Sequence, residues 1–205
     1  MQHYNTLLCL GDSYTIGESV PLHESFPYQA VQRLRKNGFN FQAPEIVAKT
    51  GWTTFELAEH ILHTSLNEHY DFVTLLIGVN NQYRGLSIED FKTDFEFILN
   101  KAIHFANENS SHVIVLSIPD WGITPFAKGK NIESTISAEI DSFNTICEEY
   151  AKRYNAHYIY ITEETRKAKN DMGLLASDGL HYSAKEMSIW ADKISSVIEN
   201  IIKHN

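Results

Sequence analysis

The chain alternates short, wholly apolar runs with longer segments whose apolar residues recur every three or four positions. The short runs occupy residues 6–10, 45–48, 72–77, 113–118 and 158–161. Runs that are apolar throughout suit strands covered on both faces, and strands separated by helical segments predict a parallel sheet in an α/β domain. The segments between them carry single apolar stripes. Phe55, Ala58, Ile61 and Leu62 follow Thr53, with Glu56 at the capping-box position. Ser87 and Asp90 open a second helix that shows Phe91, Phe95, Ile98, Ala102 and Phe105 on one face, and Ile136, Ile140, Phe143, Cys147, Tyr150 and Tyr154 mark a third. The last helix starts at Ser183, with Glu186 at its box position, and presents Met187, Trp190, Ile194, Val197, Ile198 and Ile201. Residues 18–27, with two prolines, read as a loop at a pocket rim.

Five strands with helices between them most simply form a three-layer, doubly wound, mainly parallel five-stranded sheet, whose ligands bind outside the carboxyl ends of the strands. At 205 residues, without internal repeat, low-complexity tract or linker-like stretch, the chain is expected to be one catalytic domain over residues 1–205.

Composition narrows the classes. With 43% hydrophobic and 21% charged residues the chain is neither disordered, collagen-like nor a coiled coil. Seventeen basic against twenty-six acidic residues leave −9, a sign that opposes nucleic acid or an anionic membrane as partner. No apolar stretch approaches the roughly 18 residues that span a bilayer, and the first residues carry no basic region or cleavage site, so a soluble, cytoplasmic protein is expected. Cys9 and Cys147 sit among apolar residues and are expected to be buried rather than bridged. His60 and His63 lie three apart on a helix without a matching acid or cysteine, and His112 and His157 begin strands. Neither a metal nor an organic cofactor is expected.

Chemistry gathers at the strand ends. After the first strand comes Gly11-Asp12-Ser13-Tyr14-Thr15-Ile16-Gly17, which places a serine hydroxyl on a turn. A neutral serine needs a base to take its proton. A candidate appears near the other end of the chain in Asp178-Gly179-Leu180-His181, where the carboxylate is close enough in sequence to reach Nδ1 and leave Nε2 for the serine. Gly51 follows the second strand just before a helix start, where backbone N–H groups are unpaired, and Asn80 follows the third. Each feature alone also reads as ordinary turn chemistry. Their order along one predicted sheet edge is harder to reach by accident.

Together these blocks resemble the SGNH hydrolases, the GDSL-type esterases, lipases and acylhydrolases, over residues 6–183. The resemblance implies a flavodoxin-like sheet in the order 2-1-3-4-5 and a small-molecule ester as substrate. It also implies Ser13 as nucleophile, His181 as general base and acid, and Asp178 as its orienter. The oxyanion hole it implies is the Ser13 and Gly51 N–H groups with the Asn80 amide. Tyr14 stands where the family motif has leucine, and Asn81 where aspartate is common, so altered loop packing is expected. Asp12, Trp52, Tyr83, Arg84 and Trp121 lie at or beyond strand ends and are candidate substrate contacts. Acyl transfer at the same site and a non-catalytic flavodoxin-like binding module remain alternatives on sequence. A receiver would need more acids than Asp12 after the first strand, and a flavin site a phosphate cradle.

Overall fold

Five strands form one parallel sheet in a computed structural model that describes residues 4–128 and 133–204. They are β1 (Leu7–Gly11), β2 (Glu45–Ala48), β3 (Phe72–Leu76), β4 (Val113–Leu116) and β5 (His157–Ile159). Their spatial order is β2-β1-β3-β4-β5, as the resemblance implies. β1, β3 and β4 are buried at every position, as unbroken apolar runs require when helices cover both faces. The chain steps from β1 to β2 and then returns to the other side of β1 with β3, and this reversal opens a crevice at the carboxyl edge.

The helices are α1 (Ser13–Ile16), α2 (Phe26–Lys36), α3 (Thr54–His63), α4 (Val79–Tyr83), α5 (Ile88–Phe105), α6 (Glu133–Arg153), α7 (Thr162–Arg166) and α8 (Ala184–His204). Thr53 caps α3 with a complete capping box: its side chain takes the Glu56 N–H and Glu56 returns a bond to the Thr53 N–H at 2.8 Å. Ser87 caps α5. At α8 the expected box is absent. The Ser183 hydroxyl donates to the Gly173 carbonyl at 2.7 Å, and Glu186 is buried with Oε1 on the Trp190 indole at 2.8 Å.

The expected loop over residues 18–27 is corrected in its second half, which holds a 3-10 turn at Leu22–Glu24 and the start of α2. Pro27 lies in the first turn of that helix, where the missing N–H has no intrahelical role. α2 buries Phe26, Ala30, Val31 and Leu34, and α8 packs along it. Gln29 donates to the Ala184 carbonyl at 3.0 Å and Arg33 to the Ser188 carbonyl at 3.0 Å. On the other side α3 packs on α5 and α5 on α6. Cys9 and Cys147 are free and buried, and burial pushes the Cys9 thiol up to about 12. Among the described residues no helix is long and apolar enough to cross a membrane.

Candidate active site

β1 continues in register to Gly11, which pairs with Ala48 and Leu76, so the turn that follows is held by the sheet itself. A Cβ at Gly11 would lie 2.1 Å from Thr15 Oγ1 and 2.3 Å from the Leu76 carbonyl, and only glycine permits that approach. Asp12 then caps α1, its Oδ1 accepting the Tyr14 N–H at 3.0 Å. This inward-facing cap leaves Ser13 as the first helical residue. Asp12 is 1% exposed. Burial pushes its carboxyl up to about 7, against the Tyr14 and Gly78 N–H groups, which hold it down.

The loop carrying His181 is closed by its own backbone. Leu175 and Tyr182 form an antiparallel bridge, and the Ala176 N–H donates to the His181 carbonyl at 2.8 Å. Asp178 divides its two oxygens between structure and site. Oδ1 accepts the N–H groups of Leu180 and His181, each at 2.9 Å, which shapes the turn. Oδ2 meets His181 Nδ1 at 2.6 Å and accepts the Ser19 hydroxyl at 2.7 Å. Burial works against the charge on Asp178, but the hydrogen bonds from Ser19, His181 and the two N–H groups outweigh it and hold the carboxyl well below the usual carboxylate range. His181 Nε2 lies 3.0 Å from Ser13 Oγ, across 168 residues of sequence.

Gly51 adopts φ +84, a left-handed conformation that favours glycine, on the turn between β2 and α3. Among the described residues neither its N–H nor that of Ser13 donates to a partner. The Asn80 side-chain amide donates to the Trp52 carbonyl at 2.9 Å and so holds its place on α4. Asn81 is buried and welds α4 to α3: Oδ1 accepts the Thr54 N–H at 3.0 Å and Nδ2 donates to Thr54 Oγ1 at 2.8 Å. That two-way bond needs an amide, since an ionised carboxylate only accepts. Tyr14 is buried in an aromatic cluster, its ring centroid 5.6 Å from His181, 5.7 Å from Tyr182 and 6.5 Å from Trp190. Burial raises its hydroxyl far above the ordinary tyrosine value.

These groups converge on a pocket of about 180 Å³ at the carboxyl edge of the sheet. Ser13, Gly51, Asn80 and His181 form its polar floor, and Val79, Tyr83, Trp121, Phe126 and Leu180 its apolar wall. A larger cavity of about 750 Å³ opens at the opposite edge around Thr6, Asp71 and His112 and holds none of the converging groups.

Of the five candidate substrate contacts, Tyr83 and Trp121 line the pocket and three do not. Asp12 is a buried cap. Trp52 packs its ring 4.7 Å from that of His60. Arg84 bonds the Gly51 carbonyl and lies 3.3 Å from Glu56 on the surface. The sequence reading passed over Phe126, Leu180, Ser19 and Gln82. Phe126 was open to detection as a second aromatic residue in the loop of Trp121, and Leu180 lies inside the Asp178-to-His181 block. Gln82 accepts the Trp121 indole N–H at 2.6 Å and donates to Glu139 at 2.7 Å, a role that no single-sequence pattern marks.

The sequence profile described as the GDSL-like Lipase/Acylhydrolase family matches residues 9–186. A comparison with curated proteins returns no match. Similar solved structures include a G-D-S-L family lipolytic protein from Desulfitobacterium hafniense DCB-2, at TM-score 0.72 and 19% identity, covering 94% of this chain and 99% of that one. A lipase/acylhydrolase from Enterococcus faecalis matches at TM-score 0.70 and 19% identity, with 98% and 96% covered. A variant of an acetyl xylan esterase from Geobacillus stearothermophilus matches at 0.70 and 15%, with 95% and 94% covered. At such identities the likeness speaks to the fold.

Proposed function

Because the chain belongs to the GDSL-like lipase/acylhydrolase family, we propose that it hydrolyses a small or short-chain carboxylic ester through an acyl-enzyme on Ser13. The observation that carries this reading is the unbroken line from Asp178 Oδ2 through the His181 ring to Ser13 Oγ, at 2.6 and 3.0 Å. Ser13 Oγ attacks the ester carbon while its proton passes to His181 Nε2. The carbon–oxygen bond to the alcohol then breaks, and His181 returns the proton to the departing oxygen. Water repeats the sequence on the acyl-serine: its proton goes to Nε2, the acid forms, and Ser13 Oγ leaves with the proton. Asp178, charged over the working range, holds Nδ1–H and steadies the imidazolium that forms at each step.

The oxyanion that develops is bound by the Ser13 and Gly51 N–H groups and by Asn80. One hydrogen of the Asn80 amide is engaged by the Trp52 carbonyl, which aims the other at the pocket. These donors need no rearrangement when charge appears. The pocket, about 180 Å³, suits an acyl group of a few carbons against the Trp121, Tyr83 and Phe126 rings. The Geobacillus relative is an acetyl xylan esterase, in keeping with a small acyl group. A fluorophosphonate should label Ser13, as read by mass spectrometry, and Ser13→Ala should lose both labelling and hydrolysis of p-nitrophenyl acetate. Wild-type hydrolysis rates in Ser13→Ala would refute the assignment.

A further inference from the structure

Ser19 stands outside every motif considered so far, yet its hydroxyl reaches the far side of the chain. It donates at 2.7 Å to Asp178 Oδ2, the same oxygen that meets His181 Nδ1 at 2.6 Å. Its backbone is left-handed, at φ 67, where a glycine would sit without strain. Serine is the harder choice for the backbone, and what it adds is one hydroxyl. The turn that presents it is anchored on both sides. Gly17 ends α1 immediately before it, and the neighbouring Glu18 carboxylate accepts the Thr50 hydroxyl, next to Gly51. Three residues thus link the helix bearing Ser13, the corner bearing Gly51 and the loop bearing Asp178.

We propose that Ser19 is a positioning residue for the Asp178–His181 pair, fixing Asp178 Oδ2 and moderating how strongly it draws on the imidazole. The proposal rests on the reading of Ser13 and His181 as nucleophile and base. Oδ1 is held by the Leu180 and His181 N–H groups, whereas Oδ2, on a side chain 32% exposed, has only Ser19 and His181 to set its direction. With the Ser19 hydroxyl in place Oδ2 has two donors at fixed directions. Without it, Oδ2 keeps only His181, turns more freely, and stabilises the imidazolium more strongly when it does bond.

Two effects follow. Orientation of the imidazole loosens, which lowers turnover, and the stronger draw of Oδ2 on the ring moves the acidic limb of the rate profile to higher pH. Asp178 meets His181 on its own loop, Tyr14 packs its ring 5.6 Å away with Tyr182, Asp12 and Asp120 acting on it in turn, and Glu18 adjoins Ser19. Among the described residues only Asp178 and Ser13 hydrogen-bond the ring nitrogens. The other groups are the same in wild type and variant, so their titration cancels in a comparison.

The experiment compares wild type, Ser19→Ala and Ser19→Gly in kcat/KM for p-nitrophenyl acetate from pH 4 to 9, with fluorophosphonate labelling and thermal melts on each. Both variants should lose about two- to tenfold in kcat/KM at neutral pH, the range of one ordinary hydrogen bond, and the acidic limb should move to higher pH. Ser19→Gly should melt at or above wild type, because it relieves the backbone. A purely structural serine predicts the opposite pairing, in which Ser19→Gly is as active as wild type and its pH profile is unmoved. An acidic limb that stays in place or moves to lower pH in both variants, with Ser13 still labelled, overturns the role of Ser19 and leaves the hydrolase reading intact. A wild-type protein that neither hydrolyses the ester nor takes the label overturns both.

Discussion

Asp12→Asn isolates the energetics of the turn that presents Ser13. In the folded protein this carboxyl is 1% exposed, its Oδ1 takes the Tyr14 N–H and its Oδ2 has no hydrogen-bond partner among the described residues. Burial raises it from 3.8 to about 7. A carboxyl that ionises with more difficulty folded than unfolded lends relative stability below its unfolded value and withdraws it as pH climbs through the folded one. The wild type should therefore lose stability between about pH 4 and pH 8. A rise of about 3 on the pH scale, at 1.36 kcal/mol for each, corresponds to about 4 kcal/mol. Asparagine keeps the acceptor for Tyr14 and cannot ionise, so the variant lacks this loss. Exchanging an oxygen for an NH2 group in this buried site adds an offset that is the same at every pH, so the informative quantity is the change in the gap between the two proteins. For a chain of this size 1 kcal/mol moves Tm by about 2–4 °C, and the gap should shift in favour of the variant by roughly 8–16 °C from pH 4 to pH 8. Thermal melts at four or five pH values measure it. Parallel curves for the two proteins would show that Asp12 ionises normally and that the argument from burial is wrong.

Three other substitutions test the pocket. Asn80→Ala should lower kcat by about a hundredfold or more, as loss of one oxyanion donor does, with circular dichroism unchanged; a loss under threefold would remove Asn80 from the hole. Trp121→Ala should destabilise by about 3–5 kcal/mol in urea unfolding and extend the preferred acyl chain, because Trp121 is a buried part of the wall. An unchanged p-nitrophenyl ester chain-length profile would count against that role. Arg84→Ala should change stability by at most about 1 kcal/mol and leave KM alone, since the side chain is 44% exposed and pairs with Glu56 rather than facing the pocket. A tenfold rise in KM would return Arg84 to the substrate.

Much of the fold was legible because the sheet is buried. β3 and β4 differ from their apolar runs by one or two residues at one end, β1 and β5 by one or two at both ends, and β2 coincides with its run. The Thr53–Glu56 box was readable since both partners lie within one turn. The same pattern at Ser183 misled: the Gly173 carbonyl accepts the Ser183 hydroxyl, and the Trp190 indole N–H donates to Glu186, so neither partner is left for the local bond. α2 escaped notice because two prolines suggested a loop, although Pro27 occupies the one place where a helix accepts proline without loss. At the candidate site, the meeting of Ser13, Asp178 and His181 was readable from residue type and order. Their supports were not. Ser19, Gln82 and Glu139 act through side-chain bonds across 159, 39 and 57 residues, and single-sequence patterns do not reach that far.

The docking of α8 on α2, and the bond from the Tyr182 hydroxyl to the Asp120 carbonyl at 2.9 Å, hold the loop that carries the imidazole against residues made much earlier in the chain. During synthesis the N-terminal strands and Ser13 emerge long before residue 181. On the reading proposed for Ser13, a chain still on the ribosome carries an unarmed alcohol, and hydrolytic competence switches on only when the final helix closes against a partner made some 150 residues earlier.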